Sequence, residues 1–294
     1  MKFDQTFIAI RERSVLEILD LSLHVLVDHF RPLFWLLVIG AAPWVVLDYL
    51  LLGWINQSEL LSPFLYYWLM MLLVVSQAQV GTTFMTRYLG QAMFEGRPSI
   101  ASTIRDVFKT SFYFVWSHGM LRCVGLVLLC CLLLTSEQTE TAILVSALLV
   151  PGLVILALFV RAFRPFASEI LLLERTPISS RDENQIYFAK RSKSLHGSAS
   201  SDLFGRFMTV AGFAFPLTFS CFAFFTVIDT ALNLRANMEF TCYPYYWMGA
   251  LWMVAGYACI VRFLSYIDIR IRQEGWAVEL RMRAEGHRLV QAIE

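Results

Sequence analysis

The sequence predicts an all-α polytopic membrane bundle of six transmembrane helices with amphipathic interfacial helices on the cytoplasmic side. Three observations predict it. Six apolar runs each approach or meet the roughly twenty residues that a helix needs to cross a bilayer core. Lys and Arg fall almost entirely in alternate gaps between those runs. Apolar residues make up 57% of the chain and charged residues 16%, whereas a soluble domain is about 25% charged.

In chain order the runs are Leu33 to Gly53, Phe64 to Thr86, Ser111 to Leu134, Thr141 to Val160, Phe207 to Ala231 and Tyr246 to Tyr266. Cations precede the first run at Lys2, Arg11, Arg13 and Arg31. They return at Arg87, Arg97, Arg105 and Lys109, then from Arg161 to Arg206, and again from Arg262 to Arg288. Asn56 to Ser62 and Ser136 to Glu140 hold no Lys or Arg, and the connection after the fifth run holds only Arg235. By the positive-inside rule both termini face the cytoplasm. The first thirty residues are charged and lack a short apolar core with a small-residue cleavage site, so the first run is expected to stay as an anchor. The whole chain, 1–294, reads as one integral membrane domain: an N-terminal amphipathic helix at 1–32, the bundle at 33–266 and a C-terminal helix at 267–294.

Before the first run, Arg13, Glu17, Asp20, His24, Asp28 and Arg31 recur every three or four residues, a stripe on one side of a helix that is otherwise apolar. Ser14 and Glu17 are spaced as a capping box. The polar face is narrow, so this helix is expected in the inner interface or packed beneath the bundle. After Arg97-Pro98-Ser99, residues Ile100, Ile104, Val107 and Phe108 share a face opposite Arg105, Asp106 and Lys109, with Pro98 suited to a helix start. Gln185 to Leu195 reads as a short basic helix ended by Gly197. Beyond the sixth run, Trp276, Val278, Leu280 and Met282 offer an apolar side to the membrane again. Trp54, Tyr66 to Trp68 and Tyr243 to Trp247 mark the outer interface, where amphipathic rings settle. Of the six cysteines, five lie in apolar runs and none forms a CxxC pair, which points to packing rather than disulfides or metal.

Four stretches resemble the bacterial membrane domain that precedes some glycerophosphoryl diester phosphodiesterases and also occurs in stand-alone six-helix proteins of unknown function. They are Glu17-Ile18-Leu19-Asp20 running to His29-Phe30-Arg31-Pro32-Leu33; Gly96-Arg97-Pro98-Ser99; Arg191-Ser192 with Leu195 and Gly197; and Tyr266-Ile267-Asp268-Ile269-Arg270-Ile271-Arg272-Gln273-Glu274-Gly275. The resemblance implies six helices with cytoplasmic amphipathic elements in a bacterial inner membrane, and it implies no activity. The phosphodiesterase barrel has no room in a chain filled by six spans.

Inside the runs Arg122 is conspicuous, because an arginine at that depth costs at least ~2.5 kcal/mol unless it snorkels, pairs or meets water. Glu169 and Glu174 are its candidate partners, with Asp48 and Asp229 as alternatives nearer the outer ends. The group is either a structural ion pair or a substrate-binding charge. Lys190, Arg191, Lys193, Arg270 and Arg272 are candidate contacts for anionic headgroups. His24, His29 and His196 lack the neighbours that metal binding or acid–base work needs. Gly40 with Pro43, Pro151 with Gly152, and Gly212 with Pro216 are positions where a helix interrupted at a transporter site would break.

No HExxH, GxSxG or pair of membrane-depth carboxylates appears. The expected function is a non-catalytic inner-membrane module that handles lipids or organises partners. A small transporter or channel is the alternative. No cofactor is expected; the expected partners are membrane lipids, a protein or a second copy of the chain, and not nucleic acid.

Overall fold

The structure is a computed structural model; it describes residues 13–52, 63–95, 98–109, 125, 127–128, 131, 140–174, 176–177, 187–197, 200–233 and 243–274. Among these residues regular structure is entirely α-helical. Helix α1 spans Val15–Asp28 and α2 Phe30–Leu52. Helices α3, Pro63–Gly81, and α4, Thr83–Glu95, follow. Helix α5 covers residues 100–109. After it come α6 at Glu140–Phe163, α7 at Ala167–Leu173, α8 at Phe188–Gly197, α9 at Ser200–Asn233 and α10 at Tyr243–Glu274.

Five described helices are long and apolar enough to cross a membrane: Phe30–Leu52, Leu65–Met93, Val145–Ala162, Ser201–Leu232 and Tyr245–Gln273. They coincide with five of the six apolar runs. The run Ser111 to Leu134 lies almost wholly outside the described residues, as does the C-terminal segment after Glu274. The second span joins α3 to α4 through Thr82, whose N–H donates to Ala78 O at 3.0 Å and whose carbonyl accepts from Thr86 N at 3.0 Å, so the helical ladder continues across the junction.

The capping box forms as the spacing predicts. Glu17 N donates to Ser14 Oγ at 3.3 Å and Ser14 N to Glu17 Oε2 at 2.8 Å, satisfying two backbone donors that the first turn leaves open. His29 then separates α1 from α2 by one residue. The three interrupted-helix positions do not interrupt: Pro43, Pro151 and Pro216 all sit inside continuous helices. Gly40 has a packing reason instead, since a Cβ there would run into the Gly81 carbonyl where α2 crosses α3.

Helix α10 is the central post. It packs on α9, α3, α1 and α4, while α6 packs chiefly on α3 and α7 on α4. Two buried apolar clusters follow. One gathers Leu69, Leu73, Val150, Val154, Trp247 and Trp252; the other gathers Ile18, Leu33, Tyr88, Ile170, Phe263 and Ile267. The first lies toward the aromatic end of the bundle and the second toward the basic end. Helix α9 is the outlier, with only 6% of its apolar window buried against 78% for α10.

Candidate functional site: a long apolar cavity with an arginine end

Between α3, α6, α9 and α10 lies a cavity of about 700 Å³. On α10 its wall runs from Trp247 to Ser265, about 27 Å at 1.5 Å per residue, close to the ~30 Å of a bilayer's hydrocarbon core. Small side chains open it: Ala211 and Ala214 on α9 stand across from Ala255 and Ala258 on α10. Trp247 closes the aromatic end. Its ring lies 5.6 Å from Tyr67, 5.5 Å from Phe219 and 5.6 Å from Phe222, and its Nε1 donates to Tyr67 O at 3.2 Å. Trp247 is therefore a packed residue, and Tyr245, stacked near Tyr49, is the exposed one of the pair.

At the other end the lining carries Arg161, Arg206 and Arg262 and, among the described residues, no carboxylate. Each arginine is held from behind. Arg161 Nη2 donates to the Ser76 carbonyl at 2.5 Å. Arg262 Nε donates to Glu169 Oε1 at 2.6 Å, and Ser168 Oγ donates to Oε2 of the same carboxylate at 2.8 Å. Arg206 gives Nε to Asp202 and Nη2 to Asp268, both at 2.8 Å. Its Nη1 is buried and has no hydrogen-bond partner among the described residues. A buried guanidinium nitrogen left unsatisfied is uncommon.

Two further clusters tie the basic end together. Glu174 accepts two bonds from Arg191, at 2.6 and 2.8 Å, and one from the Tyr266 hydroxyl at 2.6 Å, with Arg270 3.8 Å away. Burial raises the cost of its charge, yet the hydrogen bonds from Arg191 and Tyr266 and the nearby guanidinium charges hold its carboxyl below the usual glutamate range. Asp268 accepts from Arg206, from Arg272 Nε at 3.0 Å and from the Arg13 backbone N–H at 2.8 Å. Thus α1, α7, α8 and α9 are all fastened to α10 by charge.

The sequence candidates separate on this frame. Arg122 lies outside the described residues. Glu169 and Glu174, its candidate partners, are taken by Arg262 and by Arg191 with Arg270. Of the headgroup candidates, Arg191 and Arg270 turn inward to Glu174, Arg272 pairs with Asp268 while staying exposed, and Lys190 and Lys193 are exposed. His24 bonds to Asp20 O, His29 to the Tyr88 hydroxyl and His196 to Ser192. Among the described residues no three His, Cys, Asp or Glu side chains gather as metal ligands. Gln77 and Gln79 diverge: Gln77 Nε2 donates to the buried Asp48 at 2.6 Å, and Gln79 Nε2 to Pro165 O at 3.5 Å.

Sequence reasoning missed Arg161, Arg206 and Arg262 as site residues, because each sits where cations set topology. The Asp202 and Arg206 pair at i, i+4 was the one local signal that Arg206 is held in place. No family model, curated protein or solved structure matches the chain.

Proposed function

We propose that the protein is a non-catalytic, six-span inner-membrane module that handles a lipid-like amphiphile in this cavity, with both termini in the cytoplasm. The observation that carries the reading is the cavity itself. It has the length of a membrane leaflet's chains and more, a largely apolar wall, and its charged groups gathered at one end, which is the division of an amphiphile. The third span is assigned to Ser111 to Leu134, and α1, α5, α8 and the segment after Glu274 are assigned to the inner interface. The resemblance to the membrane domain of glycerophosphoryl diester phosphodiesterases supports the same architecture and location.

Helix α1 supports the interfacial assignment by its three-sided surface. Ile18 and Leu19 are buried, Glu17, Asp20 and His24 are exposed on the polar stripe, and Leu16 and Val27 are more than 70% exposed. A helix with one apolar face packed and another open fits a position between bundle and lipid. The transporter reading remains the alternative and draws on the same cavity, whose length nearly matches the bilayer.

The test is purification in native lipid, mass spectrometry of what copurifies, and a filled cavity. Ala214→Trp with Ala258→Phe should lower retained lipid while leaving the assembled protein intact. Unchanged lipid content in the filled variant defeats the reading. Movement of a labelled amphiphile across vesicles containing the parent protein, abolished in the filled variant, moves the assignment to transport.

A further inference from the structure

We infer that the cavity takes an anionic amphiphile, with one phosphate-type head group seated on Arg206 and the hydrocarbon along the small-residue wall of α9 and α10; this rests on the proposed lipid-handling role. Charge complementarity selects the head group. Among the described residues three guanidinium groups line the basic end and no carboxylate lines the cavity. The acids paired with these arginines, Glu169 with Arg262 and Asp202 and Asp268 with Arg206, are not among the described lining residues. An oxyanion would meet donors there, while the quaternary ammonium that a choline head group adds to its own phosphate would meet like charge.

Arg206 is the seat because its bonding is incomplete. Its side chain is only 5% exposed, and Nε and Nη2 are spent on Asp202 and Asp268. That leaves Nη1 without a partner among the described residues, although it is buried. Removing such a donor from water costs free energy unless an acceptor arrives; a head-group oxygen is an acceptor of the right charge, and to meet Nη1, which is closed to water in this structure, it would have to draw the guanidinium toward the cavity that Arg206 lines. Guanidinium suits this task, since its planar fork serves a carboxylate on one side and a phosphate on the other without deprotonating. The two acids behind it hold the fork in place. Gln79, Thr218 and Ser265 in the same lining supply neutral polar contacts, and the rest of the wall is apolar.

The same anion chemistry is available from free phosphate, and the hydrocarbon wall decides between the sources. Apolar area buried along some 27 Å of wall stabilises a chain-bearing ligand and does nothing for an inorganic ion. Full-length protein in detergent is therefore incubated with phosphatidylglycerol or phosphatidylcholine of identical acyl chains, and retained lipid is counted by native mass spectrometry. Phosphatidylglycerol should be retained with roughly tenfold preference, the scale of one charge-assisted hydrogen bond. Arg206→Gln combined with Asp268→Asn, which avoids stranding a buried acid, should abolish the preference and keep lipid retention. Arg206→Lys keeps a charge beside Asp268 but loses the fork, so it should reduce the preference as well; it answers the question if the double variant fails to assemble. Excess inorganic phosphate should displace nothing.

Equal retention of the two lipids by the parent overturns the anionic head group and leaves the amphiphile reading standing. A preference unchanged in both Arg206 variants overturns the seat. Displacement by inorganic phosphate assigns the arginines to a free ion. Lipid retention unaffected by Ala214→Trp with Ala258→Phe removes the cavity reading on which the inference stands.

Discussion

At the scale of single residues, charge pairs rather than apolar contacts decide how the basic end is assembled. Glu169 is fully buried against Arg262, at 2.6 Å, and removing one partner of a buried pair costs about 3–5 kcal/mol because the other is stranded. Arg262→Ala should therefore destabilise far more than a surface substitution, and Arg262→Ala with Glu169→Gln should recover much of the loss in thermal unfolding; additive losses would refute the coupling. Glu174 makes a pH prediction. Its folded carboxyl is held below its usual range, so its contribution is fully present above the unfolded value of about 4.3 and is lost as pH falls through the lower folded value. The parent should lose more stability on acidification than Glu174→Gln, and parallel acid profiles would remove the cause. Arg191 and Arg270 illustrate what sequence leaves hidden: a basic loop beside a membrane predicts headgroup contact, and nothing local reveals their pairing with Glu174.

At the scale of helices, the centres of the spans were legible and their ends were not. Tyr266 ends the apolar run, yet α10 continues to Glu274. Hydropathy counts Asp268 as an exit from the membrane, but Asp268 is 1% exposed because Arg206, Arg272 and a backbone N–H surround it. Pairing cancels the cost that the hydropathy pattern assumes. The cavity was hidden for a related reason: Ala211, Ala214, Ala255 and Ala258 read as small residues that let helices close up, whereas here they face open space. Helix α1 offers a direct check of the interfacial assignment. Spin labels at Leu16 and Val27 should be relaxed mainly by oxygen dissolved in lipid, and labels at Asp20 and His24 by a water-soluble reagent. Uniform access of the water-soluble reagent at all four positions would place α1 away from the membrane. A separate consequence falls on Leu19, which is buried while Leu23 is 43% exposed: Leu19→Glu should lower the unfolding temperature and Leu23→Glu should leave it nearly unchanged.

At the scale of the whole molecule, the described helices constrain the topology beyond their number. Helix α5 runs back along α4, with Thr103 bonded to Gln91, Asp106 to Arg87 and Phe108 against Phe84. Lys109 is therefore left in the basic half of the bundle. Helix α6 begins at Glu140 in the opposite half, since its later residue Arg161 reaches Ser76 while Val150 and Val154 join the cluster of Leu65, Leu69 and Leu73. Between Lys109 and Glu140 the chain has thirty residues, enough for one apolar crossing of about twenty, for which the run Ser111 to Leu134 is the segment proposed. With the proposed sixth crossing added to the five described helices long enough to span, the proposed topology returns the C-terminus to the side of the N-terminus, which the cation asymmetry would make cytoplasmic. Reporter fusions after residue 294 and within the Ser58 loop should thus give opposite signals, and a fusion at Gln138 should match Ser58. Equal signals from residue 294 and Ser58 would leave an even number of crossings between them, where the assignment needs five. If Gln138 disagreed with Ser58, the missing crossing would be assigned to Ser111–Leu134, and α1, α5 and α8 would no longer share one face of the membrane.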